Sequence, residues 1–386
     1  MDNFVYEYPI KVYFGQGCVK QYLGQLLEGC GKTVLLAYGG GSVKKNGIYD
    51  QIMSELEAAG KSVVEFAGIM PNPTYAKVQE GAALVRENHV DFILAVGGGS
   101  VIDCCKIVAA QARNAQDIWD MEFTDHKYPG EWVPMGAVVT ASGTGAEMNN
   151  GAVITNEDKK IKAGLFGAHA DFALLDPAYT LSLPMGQVIS GAFDTLSHCM
   201  ETYFGKPDHI ILSDEISEAV MRNVIRNLRL LIADPQDMGA RSELMWASAM
   251  GENGILKIGK VTDFQAHQME HQLGAYTDCN HGQGLAVIHP ALYRHIYENN
   301  IGRFAHFAQE VWRISPEGKT EQELALAGIG ALADFIKDVG LPTTLTEMGI
   351  TDESILKAVA DTCSITAGCC KKLTRNEIFE ILKECV

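Results

Sequence analysis

The pattern of apolar and polar positions changes partway along the chain. In the first half, short apolar runs alternate with stretches of helical spacing. Residues 34–37 form one run and end at Tyr38-Gly39-Gly40-Gly41-Ser42. Residues 49–58 then place apolar groups three and four apart, and Gly60 supplies a helix stop. Residues 62–66 read as a second strand, Pro71-Asn72-Pro73 breaks the chain, and residues 74–88 read as a helix with Val78, Ala82 and Val85 on one face. The run at 91–96 leads into Gly97-Gly98-Gly99-Ser100 and another helix. Residues 135–140 end at 141–147, ASGTGAE, and further strands are predicted at 153–155 and 173–175. Strand and helix in alternation predict a parallel sheet flanked by helices.

Three glycine-rich turns thus fall at or just after the carboxyl ends of apolar strands. Ligands of open α/β sheets bind along that edge. Glycine lets backbone N–H groups approach a phosphate, and a following helix N-terminus adds a favourable dipole. Neither GGGS matches GxGxxG or GxxxxGK[ST]. Taken singly, each is equally an ordinary turn between strand and helix. Three in one domain favour a nucleotide.

From Pro184 onward the alternation gives way to helical spacing over 186–204, 210–233, 240–256, 262–273, 283–297, 301–312, 320–339, 352–362 and 374–385. The division predicts an α/β domain over 1–183 and an all-helical domain over 184–386. Within the helical half, Asp194 and His198 are four apart, as are His267 and His271, and His281 follows in NHGQG. Residues four apart share a helix face. A carboxylate and several imidazoles suit Fe²⁺, Zn²⁺, Co²⁺ or Ni²⁺. His267-Gln268-Met269-Glu270-His271 also matches HxxEH, in which both histidines bind zinc and Glu270 is a general base. That reading leaves the glycine-rich half without a role. Spacing alone does not separate His267 from His271.

Composition removes other classes. At 386 residues, 47% hydrophobic and 20% charged, the chain is an ordinary globular sequence long enough for a large core. A formal net charge of −17 argues against nucleic-acid binding, which needs clustered Lys and Arg. No apolar run approaches the length of a membrane span, and the N-terminal stretch lacks the pattern of a secretory signal. The ten cysteines form no disulfide framework or CxxC knuckle, so reduced thiols in a cytoplasm are expected.

GGGSxxD at 97–103, TASGTGAE at 140–147, LDP at 175–177, DxxxH at 194–198, HxxxH at 267–271 and HGQGLA at 281–286 occur in order. This series resembles the iron-containing (group III) alcohol dehydrogenases, in particular the branch of butanol dehydrogenases and NADPH-dependent aldehyde reductases. The resemblance implies a Rossmann-like dinucleotide-binding domain and an all-α metal domain, the dehydroquinate synthase-like architecture. It implies metal ligands at Asp194, His198, His267 and His281, iron being the foremost metal, with His271 as a proton-relay group. On the cofactor side it implies Gly39, Gly40, Gly41, Ser42, Asn72, Gly97, Gly98, Gly99, Ser100, Asp103, Thr140, Thr144, Asn149 and Lys162. Where NAD-preferring members carry an Asp for the adenosine ribose, this chain has Gly40, followed by Lys44 and Lys45. NADP(H) is therefore expected over NAD(H), because no carboxylate at that position repels a 2′-phosphate. Asp103-Cys104-Cys105-Lys106 stands where the pattern often has Asp-x-Ala-Lys, and cysteine in place of alanine keeps the packing small and apolar.

The implied reaction is reversible hydride transfer between a small primary alcohol or aldehyde and NADP(H), in a homodimer extended through the N-terminal strand. A sister enzyme of the same superfold, such as a glycerol dehydrogenase, would share fold and metal but change the substrate.

Overall fold

A computed structural model describes residues 3–386. They divide into two compact units, residues 7–183 and residues 184–386, with residues 3–6 grouping with the second.

The first unit opens with β1 (Lys11–Phe14), α1 (Cys18–Glu28), β2 (Thr33–Tyr38), α2 (Ser42–Lys45) and α3 (Ile48–Ala58). It continues through β3 (Ser62–Phe66), α4 (Tyr75–Glu87), β4 (Phe92–Gly97), α5 (Gly99–Arg113) and α6 (Ile118–Phe123). β5 (Met135–Val139), β6 (Gly151–Asn156), β7 (Ile161–Phe166) and β8 (Phe172–Leu175) complete it. Six strands form one parallel sheet in the order β1-β8-β5-β4-β2-β3. β4 and β5 are buried at every residue, as their continuous apolar sequences require of a sheet covered on both faces.

The connections run outward in both directions from one pair of strands. β2 leads to its neighbour β3 on one side, and β4 leads to its neighbour β5 on the other. β2 and β4 lie side by side, with Val34 opposite Phe92 and Ala37 opposite Ala95. Their carboxyl ends therefore flank the topological switch point, where open α/β sheets leave a crevice. Both ends carry GGGS.

The segment at 153–155 does not extend that sheet. It belongs to an antiparallel hairpin of β6 and β7, with Thr155 opposite Lys162 and Lys160 in the turn at φ 51°. The hairpin is tied to α5: Asp103 Oδ2 accepts from Val153 N at 2.9 Å, and Lys106 Nζ donates to Gly151 O at 2.6 Å. Asp176, in the LDP triplet, also has a structural task. One carboxylate oxygen accepts from Gly17 N at 2.9 Å and the other from Ala178 N at 3.1 Å, which fixes the turn after β1 against the end of β8.

The second unit is helical: α7 (Met185–Tyr203), α8 (Leu212–Ala233), α9 (Met238–Glu252), α10 (Gln265–Thr277), α11 (His281–Ile296), α12 (Ile301–Glu310), α13 (Glu321–Asp338), α14 (Glu353–Thr362) and α15 (Arg375–Glu384). α7 and α11 run through its core, with Phe193, Leu196, Met200, Leu285 and Ile288 sealed from solvent. Each such side chain contributes about 1.5–3 kcal/mol by leaving water. Among the described residues no helix is long and apolar enough to cross a membrane. The ten cysteines are free thiols. Cys104 and Cys105 are buried; burial pushes the Cys104 thiol up to about 12, so it is a poor nucleophile.

Candidate functional site

Asp194, His198 and Glu201 lie at i, i+4 and i+7 of α7, hence on one face. From Ser190 onward that helix is mostly packed in core, so these polar groups are buried with it; Asp194 is 3% exposed. α10 brings His267, Glu270 and His271 alongside, and the first residue of α11 is His281.

The side chains converge on Asp194 Oδ1. His281 Nε2 is 3.4 Å away, His267 Nε2 3.6 Å and His198 Nδ1 3.7 Å. Donor atoms of Asp194, His267 and His281 gather within 4.8 Å of one another. His198 stands beside this trio, its ring stacked on that of His267 at 4.6 Å between centroids. Asp194 Oδ1, His267 Nε2 and His198 Nδ1 are sealed from solvent without a hydrogen-bond partner. Leaving a buried polar atom unpaired costs about 1–3 kcal/mol. Such atoms gathered around Asp194 Oδ1 are costly unless an ion satisfies them. Donors bonded at about 2.1 Å to one tetrahedral ion stand about 3.4 Å apart, which the observed spacings approach. The residues present therefore fit a divalent metal.

Two carboxylates orient the imidazoles: Glu201, absent from the sequence reading, and Glu270, which the HxxEH pattern made a general base. Glu201 Oε2 accepts from His267 Nδ1, and Glu270 Oε2 accepts from His281 Nδ1. Each contact holds the proton on Nδ1 and leaves Nε2 to face Asp194. Glu201 also accepts from Ala266 N at 2.6 Å and His267 N at 3.1 Å, so it caps α10, whose own N-cap residue Phe264 makes no side-chain cap. α7 thus supplies the carboxylate that orients a histidine of α10, and α10 the carboxylate that orients His281 of α11. Glu270 is wholly buried against His281, which is not the setting of the solvent-activating base that HxxEH describes. His271 joins a second trio with Glu270 and His281; its ring is 5.5 Å from that of His281 and 5.7 Å from that of His267.

The electrostatics follow from this packing. Burial pushes the Asp194 carboxyl up, but the facing imidazoles of His198, His281 and His267 outweigh it and hold it well below the usual range. Burial also opposes a charge on His267, yet the carboxylates of Asp194 and Glu201 raise it to about 10. His198 is lowered, chiefly by burial.

The glycines of HGQG are packing residues. A Cβ on Gly282 would lie 2.2 Å from Ser190 O on α7, and one on Gly284 would lie 2.9 Å from Glu270 Cγ. Asn280 Oδ1 accepts from Gln283 N at 3.1 Å and from Ser190 Oγ at 2.5 Å, which caps α11 and fixes the approach of His281 to α7.

On the sheet, close approach explains the second GGGS. A Cβ on Gly97 would lie 2.5 Å from Val101 Cγ2, and one on Gly99 would lie 2.3 Å from Thr144 Oγ1. Ser100 is in the first turn of α5. Thr140 N donates to Gly97 O at 2.9 Å, and Thr144 Oγ1 accepts from Ala146 N at 3.2 Å, so the third turn is bound to the second. Asp103 and Asn149 turn inward: Asp103 Oδ1 lies 3.5 Å from Lys106 Nζ, and Asn149 Oδ1 accepts from that ammonium at 3.1 Å. Lys162 is buried on β7. Asn72 sits at φ 51°, a left-handed conformation between its two prolines. In the first turn Gly41 is at φ 99° and a Cβ on Gly40 would meet nothing within 4 Å. Lys44 Nζ lies 3.1 Å from Glu65 Oε2.

Comparisons with known proteins bear on both halves. Residues 9–177 match the family described as iron-containing alcohol dehydrogenase, and residues 188–386 match the C-terminal region of the Fe-containing alcohol dehydrogenase family. The chain is 39% identical over 388 residues to the probable NADH-dependent butanol dehydrogenase 1 of Bacillus subtilis, covering 99% of each. It is 36% identical over 359 residues to the NADPH-dependent aldehyde reductase YqhD of Escherichia coli, covering 92% of this chain and 91% of that one. The solved structure of NADH-dependent butanol dehydrogenase A from Thermotoga maritima superposes with a TM-score of 0.93 at 36% identity, covering 100% of this chain and 99% of that one. With both units matched and the parallel sheet and helical unit in place, the chain belongs to the iron-containing alcohol dehydrogenase family of oxidoreductases.

Proposed function

We propose that this chain interconverts small primary alcohols and aldehydes of the butanol and butanal kind by hydride transfer with a pyridine nucleotide, at a divalent metal, iron foremost. The observation that carries the reading is the convergence of Asp194 Oδ1, His267 Nε2 and His281 Nε2, with each imidazole locked by its own carboxylate. His198, against the His267 ring, is the fourth residue of the set. A metal held there supplies Lewis acidity toward an alcohol or aldehyde oxygen. Glu201 and Glu270 keep both rings in the ligating orientation, and His271, next to both rings, moves the proton that the alcohol gains or loses.

The turns 39–42 and 97–100 at the switch point receive the nucleotide, with the α5 N-terminus toward the pyrophosphate. Asn72, Thr140, Thr144, Asn149 and Lys162 belong to the same reading. Gly40, Lys44 and Lys45 taken alone would favour NADP(H), as the sequence suggests. The pairing of Lys44 with Glu65 supports NAD(H) instead, and several relatives are named for NADH. A cytoplasmic homodimer completes the proposal: β1 stands at the sheet edge, where a second copy can add a strand.

The test is butanal-dependent oxidation of NADH and of NADPH, before and after chelation and with Fe²⁺ or Zn²⁺ restored. Metal-dependent turnover is expected. Turnover untouched by complete metal removal, or seen only with polyols such as glycerol, would overturn the reading.

A further inference from the structure

The first glycine turn carries a side-chain cluster that no part of the metal chemistry uses. β2 and β3 are parallel neighbours with Leu36 opposite Glu65, one residue from the end of β3. The loops beyond them are joined, Gly68 N donating to Gly39 O at 3.1 Å. Glu65 accepts from Tyr49 Oη at 2.7 Å and from Tyr38 Oη, and pairs with Lys44 Nζ at 3.1 Å. Lys44 lies over the rings of Tyr49 and Tyr38, 4.2 and 5.1 Å from their centroids. Lys44 and Glu65 remain 46% and 44% exposed, so a ligand at the turn can reach them.

In dinucleotide folds, an acid at the end of the strand after the glycine turn accepts from the ribose 2′-hydroxyl, whereas a nearby cation accommodates a 2′-phosphate. This chain has both groups, bonded to each other. We propose that Glu65 sets the nucleotide preference: it neutralises Lys44, pins the ammonium on the two tyrosine rings, and repels a 2′-phosphate, so the enzyme favours NAD(H). Two fixed aromatic faces and a carboxylate hold Lys44 in one place, and a phosphate dianion would have to compete with all three. The inference rests on reading the turns as the nucleotide site.

The experiment measures kcat/KM for NADH and NADPH with butanal in the metal-loaded enzyme, together with nucleotide binding by fluorescence titration. The wild type should favour NADH. Glu65→Gln removes the charge but keeps the shape, and should raise the NADPH-to-NADH ratio about tenfold by freeing a charge-assisted phosphate contact. Adding Lys44→Ala to Glu65→Gln should abolish that gain. A wild type that prefers NADPH, a ratio unmoved by Glu65→Gln, or a gain that survives loss of Lys44 would each overturn the proposal while leaving the dehydrogenase reading intact. Absence of turnover with either nucleotide in the wild type would overturn that reading, and this inference with it.

Discussion

The ligand helices and the strand-end turns work in opposite ways. α7, α10 and α11 place charged side chains in a core and must then satisfy each of them. The outcome is a closed set of Asp194, His267, His281, Glu201 and Glu270 in which each group limits the others. The turns at 39–42 and 97–100 remove side chains instead, so that backbone comes close. There the evidence is steric, as in the 2.3 Å between a Gly99 Cβ and Thr144 Oγ1. In the proposed reading a metal would be held by what side chains reach, and a phosphate by what glycines leave clear.

The largest expected effect that sharpens this contrast concerns His271. His271→Ala should keep metal stoichiometry and lower the rate of aldehyde reduction by about 100-fold or more, the usual contribution of a positioned acid–base group. Unchanged steady-state kinetics would remove it from the proton path. Next comes Glu201→Gln, which leaves all ligands in place. Metal affinity should weaken roughly 10–100-fold, as is general when a histidine loses its orienting carboxylate. Competition with a chromophoric chelator measures this, and an unaltered affinity would make Glu201 a helix cap only.

On the sheet, Gly99→Ala should cost about 1–3 kcal/mol from overpacking against Thr144 and raise the KM for nucleotide. Gly40→Ala, with open space around its Cβ, should stay within about 0.5 kcal/mol. Urea denaturation of the two variants compares them directly, and equal costs would mean that the crowding at 97–100 has no bearing on stability.

Much of this arrangement was legible in the chain because it is local. Apolar runs located β2, β3, β4, β5 and β8, and three- and four-residue spacing located the helices of the second unit, α7 within a residue at each end, whereas α1 and α6 of the first unit were not read. β7 escaped because Lys162 and Gly164 interrupt its alternation, and the strand at 153–155 proved to be half of a hairpin rather than part of the parallel sheet. Glu201 was in reach of the same reasoning: DxxxHxxE puts it on the face of Asp194 and His198. Glu270 was not. Its partner His281 lies on another helix, and the local HxxEH pattern suggested a different task. Nor could spacing show that Lys44, read as a phosphate cation, is held by Glu65 from a neighbouring strand. Tertiary pairing decides such roles, and it leaves no period in the sequence.

The most direct test of the central claim is metal content per chain, measured on freshly purified anaerobic protein for the wild type and for His267→Ala, with folding of both checked by circular dichroism. The account predicts about one divalent ion per chain in the wild type, as one ligand set implies, and nearly none in a folded His267→Ala. Equal stoichiometry in the two proteins would contradict it.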